Sequence, residues 1–303
     1  MKKLLKTVYG KEEIIVKRKK YNLFNIANNI AMAFVLAVIV IPFLHIIAVS
    51  FSNPIDVLQN NVSIYPKGFS LESYQAIYSN NKIPVAYMNT IKYVISSTLI
   101  NFIMTLTFAY PLSKKDIMLS KPVTLMVVFT MLFSGGLIPS YLLVTGLGMG
   151  NTIWAIIMPS AINGFNLLII RTAYSQIPPE MEESVEIDGG STYVKLFCIT
   201  IPLTKPTIAA ITLFYLVQHW NSFFPAMIYL TDRDKWPLSM LLREMILRAQ
   251  YTDEKTDPAF MSQMTPQGVK YATMVISLIP MLIIYPFVQK YFVKGIMIGG
   301  VKG

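Results

Sequence analysis

Five acids fall within nine residues of this chain: Glu180, Glu182, Glu183, Glu186 and Asp188, all in the segment Arg171 to Pro206. Clustered carboxylates can move protons or hold a cation, but both tasks need partners. The two histidines, His45 and His219, lie far away, and the one cysteine is Cys198. No nucleophile and base accompany the acids, so an enzyme site is disfavoured, and neither catalytic residues nor a metal site are assigned. A single cysteine also excludes a disulfide framework. Phosphate chemistry fails a separate test. The glycine-rich loop that cradles ATP needs Lys and then Ser or Thr directly after its last glycine. Gly189-Gly190 runs into Ser191, and Gly299-Gly300-Val301-Lys302 has no hydroxyl residue after its lysine. The chain holds no nucleotide-hydrolysing motif of this kind.

A second constellation is Tyr215, Gln218, His219, Trp220, Asn221, Phe223 and Phe224. Aromatic faces, amides and hydroxyls together are what a saccharide is bound by. They sit inside an apolar stretch, where such polar density is costly unless it lines a cavity or an interface. Asn221 and Trp220 lead as pathway residues, followed by Tyr215 and Gln218. Asn163 and Asn166, which flank Gly164, and Tyr141, which follows Pro139, are weaker candidates of the same kind. The competing explanation for each aromatic is packing, and for His219 a hydrogen-bonded packing role.

The elements that must position these residues are membrane helices. The chain has 303 residues, 54% hydrophobic and 14% charged, with mean hydropathy +0.51. Soluble domains carry about 25% charge. A crossing needs roughly 20 apolar residues, and six stretches qualify: Ile30 to Val49, Ile91 to Leu112, Val123 to Val144, Thr152 to Ile170, Thr207 to Leu230 and Tyr271 to Phe292. None contains Asp or Glu, and Lys92 and Lys290 sit near ends, where they can snorkel. The second stretch is the most polar, with Ser96, Ser97, Thr98, Asn101, Thr105 and Thr107, residues that usually face other helices. The first is too long for a cleaved signal peptide and reads as a retained anchor.

Lys and Arg set the orientation. With the N-terminus cytoplasmic, 17 basic residues lie inside and 9 outside, the tract Lys17-Arg18-Lys19-Lys20 weighing most. Both termini are therefore expected inside, in an all-α protein of six crossings. Residues 1–29 form a basic cytoplasmic segment, and 30–303 form one transmembrane domain. The net charge of +10 sits beside apolar stretches, so the bilayer, not nucleic acid, is its partner. Two outer loops are long. In the first, Ser70 is placed to cap a short helix through Tyr78; in the second, Leu238 to Gln250 has helical periodicity. A carrier driven by an ion gradient would need an intramembrane Asp, Glu or Arg, and no stretch supplies one.

Within the acidic segment, Pro178-Pro179 suits a helix start, and the glutamates lie in its first turns, where the macrodipole favours negative charge. Met181 and Val185 share a face. Gly189-Gly190 ends the helix, and Ser191 can cap a second one running through Phe197, with Pro202 and Pro206 breaking the chain beyond it. The result is a short, acidic helix–turn–helix between the fourth and fifth crossings, a shape that docks into a cleft and moves as a lever.

This segment resembles the cytoplasmic loop of the integral-membrane permease subunits of binding-protein-dependent ABC importers, whose pattern is roughly E-A-A, three residues, G, nine residues, I, one residue, L-P. Glu183-Ser184-Val185 stands at E-A-A, Asp188 precedes the glycine, Gly189 is the glycine, Ile199 the isoleucine and Ile201-Pro202 the L-P. Ser184, Val185 and Ile201 depart from the pattern, which changes helix packing but keeps the charge and the turn. Ser134 to Leu143 (SGGLIPSYLL), Asn151 to Pro159, His219 to Leu230 and the ending GIMIGGVKG are similar to the carbohydrate-uptake branch, the first of them to permeases for complex oligosaccharides.

The resemblance implies a type I importer permease (MetI-like) fold in the plasma membrane of a prokaryote. It implies that loop 171–206 carries a coupling helix, with Glu183 contacting an ATPase subunit, Gly189 allowing the tight turn and Asp188 bracing it. It implies partners: a second, homologous permease, an ATPase dimer that binds the ATP and Mg, an extracellular solute-binding protein and a sugar substrate. The chain itself binds no cofactor. The tail 294–303 is expected to reach toward the ATPase.

Overall fold

The computed structural model describes residues 23–79, 81–252 and 266–299. The tract Lys17-Arg18-Lys19-Lys20 and residues 253–265 and 300–303 lie outside them. Every regular element among the described residues is helical. Helix α1 (Leu23–Ser50) is apolar on all sides and exposed along most of its length, as a lipid-facing span is. It begins seven residues before the expected stretch. Asn53 caps α2 (Pro54–Leu58) by accepting from the Ile55 N–H at 3.1 Å. As expected, Ser70 opens the next helix, α3 (Glu72–Ser79), accepting from Glu72 N–H at 3.2 Å. The Tyr74 hydroxyl of α3 meets Ser50 Oγ at 2.9 Å, which fastens this outer loop to the end of α1. Burial pushes the Tyr74 pKa up.

Helix α4 (Lys82–Ser113) is the axis of the bundle. Its 32 residues make a rod of roughly 48 Å at 1.5 Å per residue. The starts of the helix and of the membrane stretch differ because the nine residues before Ile91 are helical but amphipathic. Its inner half supplies Leu106, Ala109, Tyr110 and Leu112 to the main core, with Leu167, Ile170 and Tyr174 from α8 and Ile211 and Tyr215 from α12, both described below.

The third and fourth crossings are broken, not continuous as expected. Helix α5 (Ser120–Leu132) meets α6 (Leu137–Gly146) at 116°. The break falls at Ser134-Gly135-Gly136, where Gly136 has φ +85°, a conformation costly for any residue with a Cβ. Helix α7 (Trp154–Ile157) tightens into a 3₁₀ turn, Met158–Ser160, then bends 49° into α8 (Gly164–Ser175). Gly164 sits at the crossing of α8 with α5: a Cβ there would lie 2.8 Å from Met131 Cγ.

The inner end holds α9 (Pro179–Ile187), α10 (Thr192–Val194), a π turn over Lys195–Thr200 and α11 (Ile201–Leu203). The second helix of the acidic elbow thus runs on past Phe197 to Leu203 and contains Pro202. The wider turn directly precedes that proline, whose ring and missing N–H would disrupt a regular α ladder. The chain then turns 83° into α12 (Lys205–Asn221). This fifth crossing stops at Asn221. Ser222 is extended, and α13 (Phe224–Tyr229) is a separate helix starting beside Pro225, so Thr207 to Leu230 is not one span. A 3₁₀ turn, Arg233–Lys235, and α14 (Leu238–Thr252) follow on the outer side, the latter where periodicity placed it. Helix α15 (Pro266–Gly299) is longer than the expected sixth stretch and takes in the first residues of the tail. Three uninterrupted helices and three bent pairs make up to six crossings.

Candidate coupling elbow and permeation path

The acidic elbow folds from local rules. Pro179 occupies the first turn of α9, and Glu180 and Glu182 lie at its positive end. Gly189 takes φ +75°. Its N–H donates to the Glu186 carbonyl at 3.0 Å, and that of Gly190 to the Val185 carbonyl at 2.7 Å, closing the helix end. Gly190 is fixed by space instead: a Cβ would stand 2.4 Å from Val185 Cγ1 and 2.9 Å from its carbonyl oxygen. Both glycines are therefore required, for different reasons.

The five acids have separate fates. Glu183 and Asp188 are exposed, and Asp188 is the C-terminal cap, donating its N–H to the Ser184 carbonyl at 3.1 Å. Ser191 makes no side-chain cap at α10. Glu180 is exposed. Glu186 pairs with Lys195 at 2.7 Å, which ties α9 to the returning helix. Glu182 turns inward. It pairs with Lys114 and accepts from the Tyr110 hydroxyl and Thr200 Oγ1, each at 3.3 Å. Beside the acids, Ile187 and Tyr193 are 86% and 75% exposed, an apolar rim on a charged element.

The fifth-crossing candidates divide across α12. Tyr215 is 1% exposed, its hydroxyl 2.9 Å from Thr105 Oγ1 and accepting from the Asn163 N–H at 3.2 Å. Trp220 is buried, donates to the Ser277 carbonyl at 3.0 Å and meets Tyr87 edge-on. Both pack the bundle. Gln218 and Asn221 are exposed on the opposite face with Phe214 and Val217, spacings of three, four and seven that form one stripe. Asn221 bonds its own helix, at Val217. Asn163 caps α8 by accepting from the Asn166 N–H at 3.1 Å, and Asn166 is buried. Tyr141 is half exposed and stacks on Tyr229 at 6.1 Å.

Two polar clusters were not singled out by the sequence. Asn101 donates to the Ser160 and Ala161 carbonyls, which the break between α7 and α8 leaves unpaired, and its Oδ1 meets His219 Nε2. Its polarity was the sequence's hint; its partners are 59 to 118 residues away. The other is Glu182 with Lys114, where one acid among five gave no hint. The structure also opens a cleft of about 730 Å³ at the outer end, between Asn81, Lys82, Arg233, Trp236 and Glu244, and a groove of about 440 Å³ between α8 and α12, lined by Phe165, Thr172, Gln176 and Thr207.

The chain is thus a helical bundle with broken crossings, an exposed acidic elbow on one end and looped helices on the other. The chain belongs to the family described as binding-protein-dependent transport system inner membrane component, whose model matches residues 77–298. It is thus a permease subunit of an ABC importer, and a membrane protein. It is 41% identical to Protein LplC of Bacillus subtilis over 94% of this chain and 97% of that one. It is 39% identical to the polygalacturonan/rhamnogalacturonan transport system permease protein YtcP of the same organism, over 87% and 93%. Among solved structures, a chain of a bacterial ABC transporter that imports the acidic polysaccharide alginate superposes with TM-score 0.82 at 30% identity, covering 89% of this chain and 96% of that one.

Proposed function

We propose that this chain forms half of the translocation pathway of an ATP-driven oligosaccharide importer in a bacterial plasma membrane, with both termini cytoplasmic and residues 30–303 as its transmembrane domain. The names of YtcP and of the alginate importer support a polymeric sugar as cargo. A second permease lies against the α12 stripe, an ATPase dimer that binds ATP and Mg receives the elbow, and a solute-binding protein delivers sugar to the outer loops. Amides such as Gln218 and Asn221 are costly against lipid, which supports a pathway or subunit interface there.

One observation carries the coupling role: α9 presents Glu183 and, one turn on, exposed Ile187 just before a closed turn, with Tyr193 exposed on the helix that follows. An apolar rim around charge is a docking surface. Seated in an ATPase cleft, the elbow transmits nucleotide-driven closure to the crossings, a two-state shift. Asp188 and Gly189 hold its turn. The test is Glu183→Lys in the assembled importer. Membrane insertion is retained, while ATPase capture and sugar uptake are lost; normal uptake refutes the role.

A further inference from the structure

Among the described residues, the acidic helix α9 is joined to α4 through one carboxylate. Glu182 Oε2 receives Lys114 Nζ and the Tyr110 hydroxyl, both from the inner end of α4, and Oε1 receives Thr200 Oγ1 from the π turn. Lys114 Nζ also lies 4.6 Å over the Tyr110 ring. The pair is largely shielded, with side-chain exposures of 23% for Lys114 and 15% for Glu182. Shielded, multiply bonded charge holds geometry better than an exposed ion pair does. Opposite Glu182 in character, Glu183 faces outward.

The far end of the same rod is fastened as well. Asn89 Nδ2 donates to the Asp234 carbonyl and the Tyr93 hydroxyl to the Lys235 carbonyl, each at 2.6 Å, on the outer turn Arg233–Lys235. Helix α4 therefore links the acidic elbow to the outer loop, with polar contacts from Asn89 and Tyr93 in its outer half and from Tyr110 and Lys114 at its inner end.

We propose that Glu182 and Lys114 form the clasp through which the elbow moves α4, making Glu182 a positioning residue and not an ATPase contact. This rests on the coupling role assigned above. Its consequence is a division of labour between adjacent acids: Glu183 binds the motor, and Glu182 passes the motion on. The π turn belongs to the device, since it carries Thr200 to the second carboxylate oxygen.

The experiment uses the complete importer in proteoliposomes, with its ATPase, sister permease and binding protein. Glu182→Gln keeps the side-chain shape and removes the charge. ATPase subunits co-purify at wild-type stoichiometry and hydrolysis continues, but sugar moved per ATP falls about tenfold, ~1.4 kcal/mol of coupling. The exchange Glu182→Lys with Lys114→Glu restores most of that ratio. A wild-type ratio in Glu182→Gln, or an exchange no better than the single changes, overturns the clasp. So does loss of ATPase capture in Glu182→Gln, which would make it a motor contact and leave the docking role standing. Unimpaired capture and uptake in Glu183→Lys sinks the docking role instead, whatever Glu182 does. If Glu182→Gln does not reach the membrane, Thr200→Val decides, since it removes one bond to the second oxygen: a reduced transport ratio supports the clasp and an unchanged one refutes it.

Discussion

Replacing Asn101 with leucine should loosen the bundle without touching the elbow. The amide is 1% exposed and bonds three groups: the Ser160 carbonyl, the Ala161 carbonyl and His219 Nε2. Leucine branches at the same carbon as asparagine and is larger, so no cavity forms and the perturbation is loss of bonding with some overpacking added. Interhelical hydrogen bonds in membranes average about 0.6 kcal/mol each, which sets a floor of about 2 kcal/mol for three. Buried groups left without partners cost about 1–3 kcal/mol each, so a loss of about 2–4 kcal/mol is expected. The two carbonyls are also what the break between α7 and α8 exposes, so α8 should loosen with them. Unfolding of the detergent-purified complex in increasing SDS would measure the loss. His219→Leu should cost less, and the double change less than the sum, because the two residues share a bond. Sugar affinity of the assembled fraction should stay at the wild-type value. A midpoint equivalent to a change under about 0.5 kcal/mol, the range of ordinary surface substitutions, refutes the reasoning.

Gly190→Ala places a Cβ 2.9 Å from the Val185 carbonyl oxygen, so the turn must open; ATPase capture should fall while the amount of protein in the membrane stays near wild type, and intact capture would show that the turn has slack. Asn221→Ala removes only a bond to its own helix at Val217, so stability should change by less than about 0.5 kcal/mol while uptake drops severalfold. Unchanged uptake and unchanged ATPase stimulation would remove Asn221 from the pathway.

Much of this protein is written in its order of residues. Apolar length and the side on which Lys and Arg collect specify a multi-crossing membrane chain, since both depend on transfer from water and not on partners. The elbow is equally local: proline at the helix start, acids at its positive end and two glycines at its close act within a few residues, so α9 and its turn were legible from sequence. Breaks in the third, fourth and fifth crossings are not legible in the same way: Ser134-Gly135-Gly136, Pro159 and Pro225 mark them, but uniform apolarity masks a change of direction. Only tertiary contact decides which polar residues are buried and which remain exposed. Tyr215 and Gln218 stand three apart and both carry polar groups in an apolar stretch, yet helical rotation buries one against Thr105 and exposes the other. Adjacent glutamates diverge likewise, because Lys114 reaches the elbow from 68 residues away, a distance across which no pattern in the sequence can pair them.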